Sequence, residues 1–175
     1  MGILRVYRNR YQDTNYILKL IETINTDIHH VVCRWSIGVT GITPEEVYNG
    51  FSHVQRASGK TAYVKAHCFS LDFEDMEDEY EVRQVIEEIL DIITVDFQAI
   101  AVLYINAAGN YECIFVINSI SYRDYRNFHS NNNTYSDLMR LLRRKTKQEW
   151  IPDTENTVYF RNDGNDIERY REFKQ

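Results

Sequence analysis

Two apolar runs dominate the hydropathy pattern of the chain: FQAIAVLYIN from Phe97 and YECIFVINSI from Tyr111, separated by Ala107, Ala108, Gly109 and Asn110. Both runs are rich in Val, Ile, Phe and Tyr. The Gly-Asn connection supplies the positive φ values of a tight reversal, so the pattern predicts a β-hairpin. Its first strand is apolar on both faces, with Phe97, Ala99, Ala101, Leu103 and Ile105 on one and Ile100, Val102 and Tyr104 on the other, and is expected inside a sheet. Alternation along the second strand puts Cys113, Phe115 and Ile117 on one face and Glu112, Ile114, Val116 and Asn118 on the other. A carboxylate and an amide therefore share a face that is otherwise apolar.

The remaining elements follow from the same reading. Ile3 to Arg8 alternates apolar and basic residues, as a strand with one solvated face does. Ile17, Leu18, Leu20, Ile21 and Ile24 have helical spacing, with Asp13 or Thr14 as the cap and an end near Asn25. His30 to Val39 reads as a strand. Thr43-Pro44-Glu45-Glu46 joins an N-cap threonine, a proline at the first helical position and a glutamate three residues past the cap. The helix it starts turns Val47, Phe51 and Val54 inward and stops at Gly59. Thr61 to Phe73 is a long alternating strand, with Cys68, Ser70 and Asp72 on one face and His67, Phe69, Leu71 and Phe73 on the other.

After the acidic turn EDMEDE, a helix from Tyr80 to Ile93 buries Val82, Val85, Ile86, Ile89, Leu90 and Ile93. Tyr122 to Asn133 reads as an irregular loop. Thr134 and Asp137 open a helix with Leu138, Leu141 and Leu142 inward and Arg140, Arg143, Arg144 and Lys147 on the opposite side. Trp150 to Phe160 is expected as a short strand and Asp166 to Lys174 as a charged helix. This order predicts one α+β domain, residues 1–175, with a mainly antiparallel central sheet and helices packed on one face.

Composition narrows the function classes. At 175 residues and 43% hydrophobic content the chain is the size of one domain with a substantial core. A net charge of −6 argues against a wholly basic nucleic-acid glove, although a local basic face is compatible with an acidic total. No apolar run reaches membrane-spanning length and the N-terminus lacks a hydrophobic signal core, so a cytoplasmic location without membrane association is expected. Cys33, Cys68 and Cys113 show no paired spacing and read as free thiols.

The segments GITPEEVYNGFSHVQRASGKTAYVKAHCFSLDF and FQAIAVLYINAAGNYECIFVINSISYRDYRNFHSNNNTYSDLMRLLRR resemble the relaxases, the mobilisation nucleases of plasmids and integrative elements. The likeness runs from about Leu18 to Arg144 and is most specific in FVINSISYRDYRNFHSNNNTYSDL. It implies the HUH-endonuclease fold. It also implies a tyrosine that attacks a DNA phosphate and a histidine cluster holding a divalent metal that polarises it. Aligned on FVINS, Glu112 and Ile114 fall where the two histidines of the hairpin motif belong, Cys68 falls where the third belongs, and Thr23 falls at the tyrosine. Tyr7, Tyr11 and Tyr16 lie near that position.

A relaxase-like chain with these substitutions is expected to keep the scaffold without nicking, needing no cofactor. It would act as a DNA-binding or accessory factor of a plasmid or integrative element, on single-stranded or hairpin DNA, alone or with a mobilisation-complex protein. Phosphate contacts are expected from Arg140, Arg143, Arg144 and Lys147, extended by Arg123 and Arg126. One rival is an active nuclease using magnesium or manganese held by His67, Glu112 and His129, which requires a one-residue slip of the His67 strand. Another is a protein-interaction module without DNA binding.

Overall fold

The computed structural model describes residues 1–7, 18, 21–22, 24, 30–41, 43–60, 66–129 and 131–153. In chain order the elements are β1 (Gly2–Tyr7), β2 (Val31–Ile37), α1 (Pro44–Ala57), β3 (Ala66–Phe73), α2 (Glu79–Thr94), β4 (Ala99–Ile105), β5 (Tyr111–Asn118), α3 (Asn132–Thr146) and β6 (Trp150–Pro152). Of the expected helix before Asn25, only Leu18, Ile21, Glu22 and Ile24 are described, all helical. Thr23, Tyr11, Tyr16, the chain past Asp153 and the expected helix from Asp166 to Lys174 lie outside the described residues.

The six strands form one sheet in the order β2-β4-β5-β3-β1-β6, with the hairpin β4-β5 inside it. β1 pairs β3, β2 pairs β4, β3 pairs β5 and β4 pairs β5, all antiparallel. β6 runs parallel to β1, so the sheet is mixed, where the sequence suggested a mainly antiparallel one. A strand reached through a helix is free to land parallel to its neighbour, whereas a hairpin strand is not. Asn106 closes the hairpin, its Oδ1 accepting from Ala108 N at 3.0 Å and Asn110 N at 3.1 Å, and Gly109 takes φ +86°.

The expectation that helices cover one face is corrected, because both faces are covered. Leu4, Val6, Phe69, Leu71, Phe73, Phe115 and Ile117 pack beneath α2 and α3 through Val82, Ile86, Ile89, Tyr135, Met139 and Leu142. On the reverse side Cys68, Ile100, Val102 and Val116 meet Val47 and Phe51 of α1, with Ile21 and Ile24. The cause is visible in β4: apolar side chains on both faces of an inner strand gain only if both are covered.

Helix starts follow local chemistry. Thr43 and Glu46 make the capping box read from sequence. α3 begins earlier than expected, because the Asn131 side chain accepts from Thr134 N at 3.0 Å and so takes the cap position. The edge strand β6 is pinned by Trp150, which is fully buried, sits edge-on to Phe73 at 5.2 Å and donates from Nε1 to Thr146 Oγ1 at 2.9 Å. Among the described residues no helix is long and apolar enough to cross a membrane. Cys33, Cys68 and Cys113 form no disulfide, and Cys68 and Cys113 are buried.

Candidate functional site

Strand register sets out the face that carries Glu112. Asp72 stands between Ile3 and Glu112, and Glu112 between Asp72 and Tyr104. One step along, Ser70 lies between Arg5 and Ile114; one further, Cys68 lies between Tyr7 and Val116. Because side chains alternate across each strand, Arg5, Tyr7, Cys68, Ser70, Asp72, Tyr104, Glu112 and Ile114 share this face. It is polar at the Glu112 end and grades into the apolar layer beneath α1.

The polar end is organised by one cation. Arg5 donates from Nη1 to Glu112 Oε1 at 3.2 Å, from Nη1 and Nη2 to Asp72 Oδ2 at 3.4 Å, and from Nε to Asp153 Oδ2 at 3.1 Å. Asn106 Nδ2 donates to both Asp72 Oδ2 at 3.2 Å and Glu112 Oε2 at 3.3 Å. Asp72 and Glu112 are buried. Beside them the Tyr7 hydroxyl is 3.2 Å from Ser70 Oγ.

Electrostatics follow from this crowding. Burial, and after it the charge of Glu112, holds the Asp72 carboxyl above its ordinary pKa, with Arg5 acting in the opposite direction. Burial alone would lower the Arg5 guanidinium, but Glu112 and Asp72 more than offset this and raise it. The phenols of Tyr7 and Tyr104 are both pushed up by burial, with the negative charge of Glu112 adding to the effect, so both are proton-bearing at neutral pH. One guanidinium faces the three carboxylates of Asp72, Glu112 and Asp153, a formal local balance of −2.

Of the positions singled out from sequence, Cys68, Glu112 and Ile114 come to one face. Ile114 offers no donor atom, and the Cys68 thiol is enclosed in the apolar layer under α1. His67, Glu112 and His129 are not brought together. His67 is paired with Ile117 on the opposite face, where its ring lies 5.1 Å from Phe128, while His129 is exposed. Among the described residues no group of three or more His, Cys, Asp or Glu has the geometry of a metal site.

At the far end of the same face Asn118 ties the sheet to its surroundings. Its Nδ2 donates to Gln98 Oε1 at 2.7 Å and to Phe51 O at 3.2 Å, and its Oδ1 accepts from Gln55 Nε2 at 2.8 Å. Glu112 and Asn118 thus project from one face, as the alternation implied, though α1 covers its middle.

The basic candidates separate into two groups. Arg123 and Arg126, both exposed, pair with Asp96, Arg123 at 3.7 Å. Exposed Tyr122 and Tyr125 stand in the same turn, and Lys60 donates to Tyr125 O at 2.6 Å. On α3, Arg140 pairs with Asp137 at 3.0 Å and Arg144 is exposed, whereas Arg143 turns inward, donating to Trp150 O at 2.8 Å. Lys147 caps α3 in a left-handed conformation.

The family described as Relaxase: MobA/VirD2-like, nuclease domain matches residues 16–150. The chain belongs to the relaxases. No curated protein and no solved structure matches it. Within this relaxase, Asp72, Asn106 and Glu112 fall in the matched span, while Arg5 and Asp153 lie outside it, before and after. Sequence reasoning missed Arg5, Asp72, Asn106 and Asp153 as members of the site. The available signal was Arg5 on the polar side of its strand and Asp72 on the face of Cys68, but pairing them requires β1 beside β3.

Proposed function

We propose that this relaxase-family chain is a DNA-binding accessory protein of a plasmid or integrative element that does not nick its DNA. The observation that carries the proposal is the Arg5 guanidinium hydrogen-bonded to Glu112 and Asp72. In a relaxase a divalent cation polarises the scissile phosphate. Here the residues at the ligand positions do not fit that cation. Ile114 has no donor, Cys68 is sealed in an apolar layer, and Glu112 already meets a fixed cation whose hydrogen bonds are taken up by carboxylates. A guanidinium outnumbered by acids repels phosphate instead of drawing it in. Tyr7 and Tyr104, the tyrosines described on this sheet face, are both held in their protonated form by burial.

Binding needs none of this chemistry. Arg123 and Arg126, with Lys60 and the exposed rings of Tyr122 and Tyr125, combine phosphate contacts with stacking surfaces suited to unpaired bases. The test is a titration of single-stranded and hairpin DNA at two salt concentrations. Arg123→Gln with Arg126→Gln is expected to weaken binding and to flatten the slope of log affinity against log salt by about 0.7 per lost contact on a single strand. A parent that binds neither DNA at low salt contradicts the proposal.

A further inference from the structure

α2 and α3 lie side by side on the face opposite Glu112, joined by the Lys145–Glu88 ion pair at 2.8 Å. Their outward surfaces have opposite charge. The exposed positions of α2 include Glu81, Glu87 and Asp91 and no basic residue; its Arg83 is paired with Glu79 at 2.6 Å. The exposed positions of α3 and its cap carry Arg140, Arg144, Lys145 and Lys147 against the single acid Asp137. Between the two helices runs an open groove of about 500 Å³ whose walls include Ile89, Ile92, Ile93, Leu138 and Leu141. Ile92 is 63% exposed and Val95, at the end of α2, 53% exposed. Large apolar side chains left in water beside an apolar groove gain free energy when covered.

We propose that this face binds a second copy of the chain about a two-fold axis running along the groove. Rotation about such an axis lays the acidic helix of each copy over the basic helix of the other, while Ile92 of each faces the partner's groove. Both walls are then met by opposite charge, which is what a self-complementary two-fold interface requires. A nucleic-acid strand in the groove would be attracted by α3 and repelled by α2. α2 has 16 residues and so spans ~24 Å at ~1.5 Å per residue. Two such helices present a footprint of roughly 500 Å² in projection, at the small end of stable interfaces, so association depends on concentration.

Sedimentation across a concentration series tests this, with charge reversal on each helix. The parent is expected to move from 20.8 kDa towards twice that mass as concentration rises. Glu87→Lys with Asp91→Lys, and separately Arg140→Glu with Arg144→Glu, are each expected to weaken self-association about a hundredfold, since like charges then oppose. An equimolar mixture of the two variants restores opposite charge on both walls and is expected to regain the doubled mass. All four positions are exposed, and unchanged far-UV circular dichroism confirms that the variants fold. Ile92→Asp provides a second, uncharged-partner disruption with the same expected loss. A parent that stays monomeric at its highest soluble concentration overturns the proposal, as does a mixture that stays monomeric while the parent dimerises. A monomeric parent whose Arg140→Glu, Arg144→Glu variant loses affinity for single-stranded DNA reassigns the face to nucleic acid.

Discussion

Arg5 Nη1 donates to Glu112 Oε1 at 3.2 Å although the two residues are 107 positions apart and β3 lies between their strands. The same guanidinium reaches Asp72 on the intervening strand, so one cation bridges three adjacent strands of the sheet. Glu112, the residue that the FVINS resemblance sets against a motif histidine, has its charge met from within the chain.

Arg5→Met keeps much of the side-chain volume and removes the cation. Asp72 and Glu112 would be left buried with Asn106 as their shared donor, a loss of about 2–4 kcal/mol given that Arg5 is partly solvated. For a chain of this length that corresponds to a melting temperature lower by roughly 5–15 °C, read by circular dichroism. An unchanged midpoint would show that the cluster contributes nothing to the fold.

Asp72 sets a pH dependence whose sign is fixed by its raised pKa. The folded chain holds the proton where the unfolded chain releases it, so the contribution is full below the unfolded pKa and is lost as pH rises through the folded one. Asp72→Asn removes the titration. Its stability relative to the parent is expected to improve from about pH 4 to about pH 7, measured by urea unfolding at each pH. A gap that moves the other way means that Arg5 dominates burial.

His67 acts in the opposite sense. Burial pushes its imidazole down to about 4, so the folded chain prefers the neutral ring. Stability from this residue is present above the unfolded pKa near 6.5 and is lost as pH falls through the folded value, by about 3 kcal/mol in total. His67→Phe retains the ring contact with Phe128 and is expected to flatten the acid limb of the stability profile. A variant as acid-sensitive as the parent would place the titrating group elsewhere.

Gly2 tests the edge of the sheet. A Cβ at this position would lie 2.4 Å from the Trp150 ring, which is fully buried between the β1 edge and Phe73. Gly2→Ala is therefore expected to cost about 1–3 kcal/mol through overpacking, seen as a lower urea midpoint at unchanged slope. Pairing it with Trp150→Leu should return part of the loss.

Much of the architecture was legible because it is written in short-range pattern. The apolar alternation from Phe97 to Ile117 gave the inner hairpin, and Thr43 with Glu46 gave a capping box three residues wide. Sequence reasoning missed the second helix layer, because the two apolar faces of β4 served to place it inside the sheet and not to require cover on both sides, and the cover by α1 depends on contacts such as Phe51 with the Val116 side of the sheet. The Arg5 cluster was illegible for a related reason. Arg5, Asp72, Glu112 and Asp153 carry no spacing that links them, and only the adjacency of β1 to β3 brings them together. Arg143 shows the limit of helical periodicity: it belongs to the basic stripe by spacing, yet it is drawn in by the carbonyl of Trp150, a partner set by tertiary structure.

The most direct measurement is an assay for covalent capture of DNA. Purified protein is incubated with single-stranded DNA carrying a radiolabel at one end and, separately, at the other, with magnesium or manganese present, and resolved on a denaturing gel. With Arg5 bonded to Glu112 and Asp72, and on the proposed reading that Ile114 replaces a metal ligand, the label is expected to remain on intact oligonucleotide, with no shortened product and no protein-linked band. A metal-dependent band that resists denaturation and disappears on protease treatment, with its DNA linked through a tyrosine, would contradict the proposed loss of nicking and assign the chain as an active relaxase.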